Sequence, residues 1–297
     1  MTESLPTNDV RFRQIQDYID RMPSLSTTVT KVLEVCNRPN TSPNDLNRVI
    51  SLDPVLTGQV LKLINSAYYS LPNQITSLTR AIIMLGLNTV KNLALSTAVL
   101  GAFKSDAFQA LSMDGFWAHS ICVGVTVKTL AAKLEIPVAM REEYFVAGLL
   151  HDLGKIPLNN CFSEEYSRIL NLAVLEQGPL KRAEEMMLGF DHGQVGGMIA
   201  GKWQLNEAIT DVLSDHHTPE NITGERSQMV MMTSLANVYA NINQFGTAGD
   251  QYQDESQLSW LLESLGLKWS DLQAMEGTVR AEIEKAQIFL QISEEAW

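Results

Sequence analysis

Apolar residues recur every three or four positions along most of this chain, and no Val, Ile or Thr stretch alternates cleanly with period two. Side chains at i, i+3, i+4 and i+7 share one face of an α-helix, whereas a half-buried strand needs i, i+2 and i+4, so the pattern dictates helices. Phe12, Ile15 and Ile19 start the series, and Val29, Val32, Leu33 and Cys36 repeat it after Pro23. Ser42 followed by Pro43 has the chemistry of a helix start, ahead of Leu46, Val49 and Ile50. Asp53-Pro54 repeats the device before Val55, Leu56, Val60, Leu61 and Ile64. Leu78, Ala81, Ile82 and Leu85 form a helix closed by Gly86, and Thr89 to Phe103 form another. The expected fold class is all-α.

A chain of 297 residues exceeds the usual single domain. Two packed helical lobes are expected, residues 1–110 and 111–245, with a hinge at Phe103 to Met113, and residues 246–297 as C-terminal helices packing on them. Thr247 to Ser256 reads as a polar, acidic loop, and Trp260, Leu261, Leu265 and Leu267 as a short helix. Leu272, Met275, Val279, Ile283, Ala286 and Leu290 then keep a 3,4,4,3,4 spacing. That stripe lasts under three heptads, which favours packing on its own domain over a dimer zipper.

The chemistry sits in the middle third. All five histidines, His119, His151, His192, His216 and His217, lie there. Tyr144 to Leu153 forms an almost wholly apolar helix that delivers His151 and Asp152 from its end. Neutral imidazole and carboxylate together suit a divalent metal such as Zn, Mn or Fe. His119 reads as the opening of a helix continued by Val123, Thr126, Val127, Leu130 and Ala131, with Cys122 as a packed thiol instead of a ligand. Lys155 either faces the same cavity, holding a phosphate oxygen, or lies on the surface. Gly193, Gly196, Gly197, Ala200 and Gly201 follow His192. Glycine costs a helix about 1 kcal/mol per residue, so the run implies close approach of another backbone, expected to bring His192 against the first metal helix, that of His119. Asn206 to Asp215 ends in His216 and His217. Adjacent helical residues diverge by about 100°, so both serve one site only if the helix end points at it or two metals are bound.

A formal charge of -12 and a pI near 4.9 argue against a nucleic-acid surface or an anionic membrane, and leave room for a small phosphorylated ligand held locally. Cys36, Cys122 and Cys161 have no paired spacing and read as buried thiols in a reducing compartment. No apolar run approaches about 18 residues and the first twenty residues are rich in charge, so a cytoplasmic location is expected. Asn65 and Ser66 amid apolar residues read as caps on the backbone where a helix ends, before the turn at Leu71-Pro72-Asn73.

Four segments in order resemble the motif series of the HD superfamily of metal-dependent phosphohydrolases: Phe116 to Ser120, Leu149 to Lys155, His192 to Gly197, and His216-His217-Thr218-Pro219. Arg21 to Leu25, Asp53-Pro54, Asn65 to Tyr69, Ile75 to Leu78 and Ala81 to Gly86 narrow the resemblance to the HDOD family, HD-related output domains of bacterial signalling proteins. It implies an HD-type second lobe holding one or two Fe, Mn or Zn ions through His119, His151, Asp152, His192, His216 and His217. It also implies a regulatory output module that binds a signalling partner or a small phosphorylated ligand. The alternative is an active phosphohydrolase on a nucleotide or phosphoester, with Asp152 bridging the metals and Lys155 on the phosphate as the catalytic pair. Asn237 stands where the family pattern has a closing aspartate, and Glu220 to Arg226 stands where relatives that cleave cyclic dinucleotides carry Gly-Tyr-Pro. Both departures tilt the expectation towards the regulatory module.

Overall fold

A computed structural model describes residues 8–103 and 110–294, and every regular element among them is helical. The protein is all-α. The first six helices are α1 (Asn8–Arg21), α2 (Thr27–Cys36), α3 (Pro43–Ile50), α4 (Pro54–Ile64), α5 (Leu78–Leu85) and α6 (Leu87–Ala102). Four begin where a short oxygen-bearing side chain accepts an otherwise orphaned backbone N–H, as helix ends require. Ser26, Ser42, Asp53 and Ser77 accept from Val29, Asp45, Leu56 and Arg80 respectively. Helices α2, α4 and α5 pack on α6, and α3 packs on α2 and α5. The Asn65 amide spans the turn after α4: its nitrogen donates to Leu61 O and Ile75 O, each at 2.8 Å, and its oxygen accepts from Ile75 N at 2.7 Å. Ser66 donates to Leu63 O, so both side chains satisfy the backbone.

The centre of the expected hinge, Lys104 to Gln109, lies outside the described residues. Next come α7 (Met113–Lys133), α8 (Val138–Leu150), α9 (Lys155–Cys161), α10 (Ser163–Glu176), α11 (Leu180–Leu188), α12 (His192–Trp203), α13 (Glu207–Asp215), a 3-10 turn at Pro219–Asn221 and α14 (Ser227–Ile242). Helix α7 begins at Met113, so His119 lies nearly two turns inside it instead of opening it. Helices α7 and α8 touch backbone to backbone. A Cβ on Gly124 would stand 2.7 Å from Phe145 O, and one on Gly148 would stand 2.8 Å from Gly124 Cα.

The last elements are α15 (Glu255–Ser264), α16 (Trp269–Ala286) and α17 (Ile288–Glu294). They pack respectively on α14, on α7, and on α4 with α6. Within the expected stripe Leu272, Val279 and Ala286 are buried and Met275, Ile283 and Leu290 are partly buried against the same core. The stripe packs on its own chain, and the helix breaks after Ala286 to let α17 turn onto α4 and α6.

Helix α1 packs against α9 and α12. Lys202 at the end of α12 donates to the carbonyls of Ile19, Asp20 and Met22 at 2.6, 2.8 and 2.8 Å, and Trp203 Nε1 donates to Pro23 O at 3.2 Å. Tyr68 lies against Phe145 of α8 and Phe289 of α17, and its hydroxyl accepts from Lys128 of α7 at 2.8 Å. Buried apolar side chains from α1 to α17 form one continuous core. No single helix among the described residues is long and apolar enough to cross a membrane.

Candidate metal centre

Four helices bring their donors to the Asp152 carboxylate. Asp152 follows α8, His119 lies on α7, His192 begins α12, and His216 caps the C-terminal end of α13 with His217 after it. His119, His151, Asp152, His192 and His216 are buried, and His217 is half-buried. On one side of the carboxylate, Oδ2 stands 3.3 Å from His151 Nε2 and 3.8 Å from His119 Nε2. On the other, Oδ1 stands 3.4 Å from both His192 Nε2 and His216 Nε2, which are themselves 3.4 Å apart. His217 adds a fourth donor to the second group, all four within 4.8 Å of one another. Two donor groups therefore share one bridging carboxylate. The sequence-predicted ligands come together, including the adjacent His216 and His217, because α13 ends at the site.

Neighbours fix which nitrogen faces inward. His151 Nδ1 donates to Gly148 O at 2.7 Å, and His216 Nδ1 donates to Val212 O at 2.9 Å. His192 Nδ1 donates to the Glu184 carboxylate of α11 at 2.5 Å. An imidazole whose proton is held on Nδ1 presents a bare lone pair at Nε2. Three lone pairs thus point at an anionic carboxylate, an arrangement that repels itself unless a cation lies among them. The donor chemistry fits a divalent metal. Bonds of about 2.0 to 2.1 Å in tetrahedral geometry space the donors about 3.3 to 3.4 Å apart, which matches the 3.4 Å triangle of Asp152, His192 and His216. Both ring nitrogens of His119, Nε2 of His151 and His217, and Oδ1 of Asp152 are buried without hydrogen-bond partners. Leaving such groups unpartnered costs about 1–3 kcal/mol each. A metal ion held there would partner the inward-facing nitrogens of His119, His151 and His217 and Oδ1 of Asp152.

Burial pushes the His119 imidazolium pKa down to about 3 and that of His216 to about 4, the neighbouring His151 adding to both effects. His217 is lowered for the same reason. His192 goes the other way: burial lowers it, but the Glu184 carboxylate outweighs that and raises it. Burial also raises the Asp152 carboxyl, yet His151 and Lys155 hold it well below the ordinary carboxylate range. Burial thus keeps His119, His216 and His217 neutral while Asp152 stays charged, the states that metal ligation needs, and His192 is the exception.

Two residues outside every motif complete it. Glu184 orients His192 through Nδ1 and the backbone N–H at 3.0 Å, and also accepts from the Tyr166 hydroxyl at 2.6 Å. Asp250, in the loop after α14, accepts from Lys155 at 2.7 Å. Lys155 is buried, not on the surface, and donates to Asp152 Oδ2 at 2.8 Å as well. Burial alone would lower the ammonium pKa, but the two aspartates raise it. Cys122 is buried with its thiol near Thr126, its pKa pushed up to about 12, and it takes no part in the donor groups. Asn237 is buried on α14, its amide oxygen accepting from Asn241 at 3.0 Å.

The glycines after His192 do meet backbone, but not where expected. A Cβ on Gly193 would lie 2.6 Å from Ser214 O and one on Gly196 3.0 Å from Leu213 O, so α12 presses on α13, the helix of His216 and not that of His119. Contact with the His151 segment comes instead from Gly154, whose Cβ would overlap His192 O at 1.9 Å. Gly201 faces open space.

The HDOD domain model matches residues 22–219, about two thirds of the chain. A solved HDOD domain protein of unknown function from Geobacter sulfurreducens is 26% identical, with a TM-score of 0.74, over 94% of this chain and 99% of that one. A solved protein from Shewanella amazonensis SB2B, described as a candidate phosphohydrolase, shares the fold at 22% identity and a TM-score of 0.66, covering 93% of this chain and 98% of that one. A candidate signal transduction protein from Marinobacter aquaeolei VT8 shares it at 20% identity and a TM-score of 0.70, over 98% of this chain and 67% of that one. An uncharacterised protein of Treponema pallidum (strain Nichols) is 23% identical over 75% of this chain, which spans 43% of that relative's length. With the motif order, the all-α architecture and the convergent donors in hand, the chain belongs to the HDOD family.

Proposed function

We propose that this protein is a regulatory output module that holds one or two divalent ions, Zn, Mn or Fe, through His119, His151, Asp152, His192, His216 and His217. In this reading it acts by binding a signalling partner or a small phosphorylated ligand. Such an ion supplies concentrated positive charge to a buried site. The observation that carries the regulatory reading is the state of Lys155. The hydrolase reading needs this ammonium on a substrate phosphate, but it is buried and already held by Asp152 and Asp250. Two further features point the same way. The cavity that reaches the centre at His217 and Asp250 measures 150 Å³, below the roughly 300–1,000 Å³ of ordinary small-molecule sites. Asn237 brings a neutral amide where the family pattern has a carboxylate.

Metal analysis of protein purified without chelator tests the ligand set: near-stoichiometric metal is expected, falling sharply in His151→Ala and Asp152→Ala. A turnover screen of cyclic dinucleotides, nucleotides and a generic phosphodiester with Mn or Fe tests the function, using wild type, Asp152→Ala and Asn237→Asp. Wild-type rates at background are expected. Wild-type turnover that Asp152→Ala abolishes would overturn the regulatory reading in favour of hydrolysis.

A further inference from the structure

The segment from Gly246 to Gln257 lies beyond the residues that the HDOD model matches, yet it is fastened to the centre along its length. Thr247 N donates to Gly115 O at 2.9 Å, and Gly246, with φ +65°, passes so close to α7 that a Cβ would lie 2.3 Å from His119 N. At the far end Gln257 Nε2 donates to His217 O at 2.7 Å. Between these anchors the chain turns at Gly249, φ +96°, and Asp250 is buried. One of its oxygens accepts from Lys155 Nζ at 2.7 Å and the other from Leu180 N at 3.1 Å. The segment thus meets the centre at His119, Lys155 and His217, while Gln251, Asp254 and Glu255 are exposed on it.

These anchors answer to different things. Thr247 and Gln257 hold backbone carbonyls, which carry no net charge and respond little to what the imidazoles hold. The Asp250 contact responds strongly. Lys155 Nζ lies between two carboxylates, Asp152 at 2.8 Å and Asp250 at 2.7 Å, and Asp152 is the one that both donor groups share. Without an ion, the Asp152 charge is available to the ammonium, and Asp250 is a second buried anion competing for it. With a divalent ion among the donors, the Asp152 charge is drawn to the ion and the ammonium faces another cation within a few ångström, where burial leaves little screening. A buried ammonium deprived of its counter-charge is costly. The other carboxylate in contact with it is Asp250, so the Asp250–Lys155 pair strengthens when the centre is filled.

We propose that the 246–257 segment is a strap latched by the metal: occupancy of the centre tightens Asp250 on Lys155 and fixes the strap in place, and the fixed strap in turn retains the ion. The second half follows from the first, because the coupling between two linked equilibria is reciprocal. The proposal rests on the reading of the protein as a metal-holding regulatory module, and names the element through which occupancy reaches the surface. A partner that touches Gln251, Asp254 and Glu255 meets a fixed surface when metal is held and a looser one when it is not.

The test is hydrogen–deuterium exchange on the whole chain, zinc-loaded and chelator-stripped, in wild type and Asp250→Asn, with metal content assayed in every sample. Asn keeps the shape and the acceptor for Leu180 N but withdraws the counter-charge from Lys155. In wild type zinc is expected to slow exchange of the 247–257 amides by about tenfold or more, a usual size for coupled sites. In Asp250→Asn that effect should largely vanish, while zinc still protects the amides of α12 behind His192. Wild type in which zinc protects α12 and leaves the strap unchanged overturns the proposal. So does Asp250→Asn with the full zinc effect on the strap. Gln257→Leu decides the matter if Asp250→Asn does not fold: with the anchor on His217 O gone, a chelator should strip zinc several-fold faster than from wild type, and an unchanged rate overturns the latch. Metal content separates the two readings: wild type that takes up no zinc refutes the metal centre and the latch with it, whereas zinc-loaded wild type with an indifferent strap refutes the latch alone.

Discussion

At the residue scale the centre depends as much on what holds the imidazoles as on the imidazoles themselves. Glu184 fixes the His192 ring, and partners of this kind typically matter 10–100-fold for metal affinity. Glu184→Gln is therefore expected to weaken metal binding by about that factor in a chelator competition, with Tyr166 still hydrogen-bonded to the amide. A Gln variant that binds metal as wild type does would show that Glu184 merely packs. The depressed pKa values of His119, about 3, and His216, about 4, set an acid limit on the metal-stripped protein. The unfolded chain takes up these protons below about pH 6.5, whereas the folded chain refuses them until about pH 4 and below. Stability must then fall as pH drops from about 6.5 towards 4, by up to about 1.4 kcal/mol per pH unit for each histidine. His192, whose pKa is raised, offsets part of one. Thermal melts of chelator-treated protein between pH 7 and 4.5 check this, and a melting temperature flat across that range contradicts it.

At the element scale, the contact between α12 and α13 is set by residues with no side chain. A Cβ on Gly193 would meet Ser214 O at 2.6 Å, backbone that cannot give way cheaply. Gly193→Ala is expected to cost about 1–3 kcal/mol by overpacking despite its better helix propensity, and to weaken metal binding by parting His192 from His216. Gly201, on the same helix, meets nothing within 4 Å, so Gly201→Ala is expected to stabilise by up to about 1 kcal/mol. Urea denaturation of the two variants reads both signs. The glycine run announced a close approach, but the pattern on α12 alone names no partner, and two helices were eligible.

At the scale of the whole molecule, one core joins the helices from α1 to α17, and Lys202 of α12 clasps the end of α1 through the carbonyls of Ile19, Asp20 and Met22. An ammonium donating to three carbonyls also complements the negative end of the helix dipole. Hydrogen bonds to charged groups contribute about 1.5–3 kcal/mol, so Lys202→Met, which keeps the aliphatic stem, should lower unfolding free energy by about that amount in chemical denaturation. Removal of metal should act on the same global transition, because an ion that binds only the folded chain stabilises it by about 2.7 kcal/mol at a hundredfold excess over its dissociation constant. Calorimetry with and without chelator is expected to show a single transition shifted to lower temperature, and an unshifted melt would mean that no metal is held.

What could be read in the amino-acid order follows from short-range physics. Helical periodicity, Ser and Asp caps and glycine stops act within a few residues, so the all-α class and the helix starts after Ser42, Asp53, Ser77 and Asn206 could be read from the sequence. Imidazole is scarce and chemically specific, so the five histidines around Asp152 stood out by type and order. Tertiary structure alone decided the rest. Asp250 meets Lys155 across 95 residues, from a loop that reads only as polar and acidic. Glu184 looks like any charged position on an amphipathic helix until Tyr166 and His192 are folded against it. Such contacts leave no periodic trace, because they arise where chain segments distant in sequence are brought together by burial of apolar faces that are themselves indifferent to which polar groups they carry along.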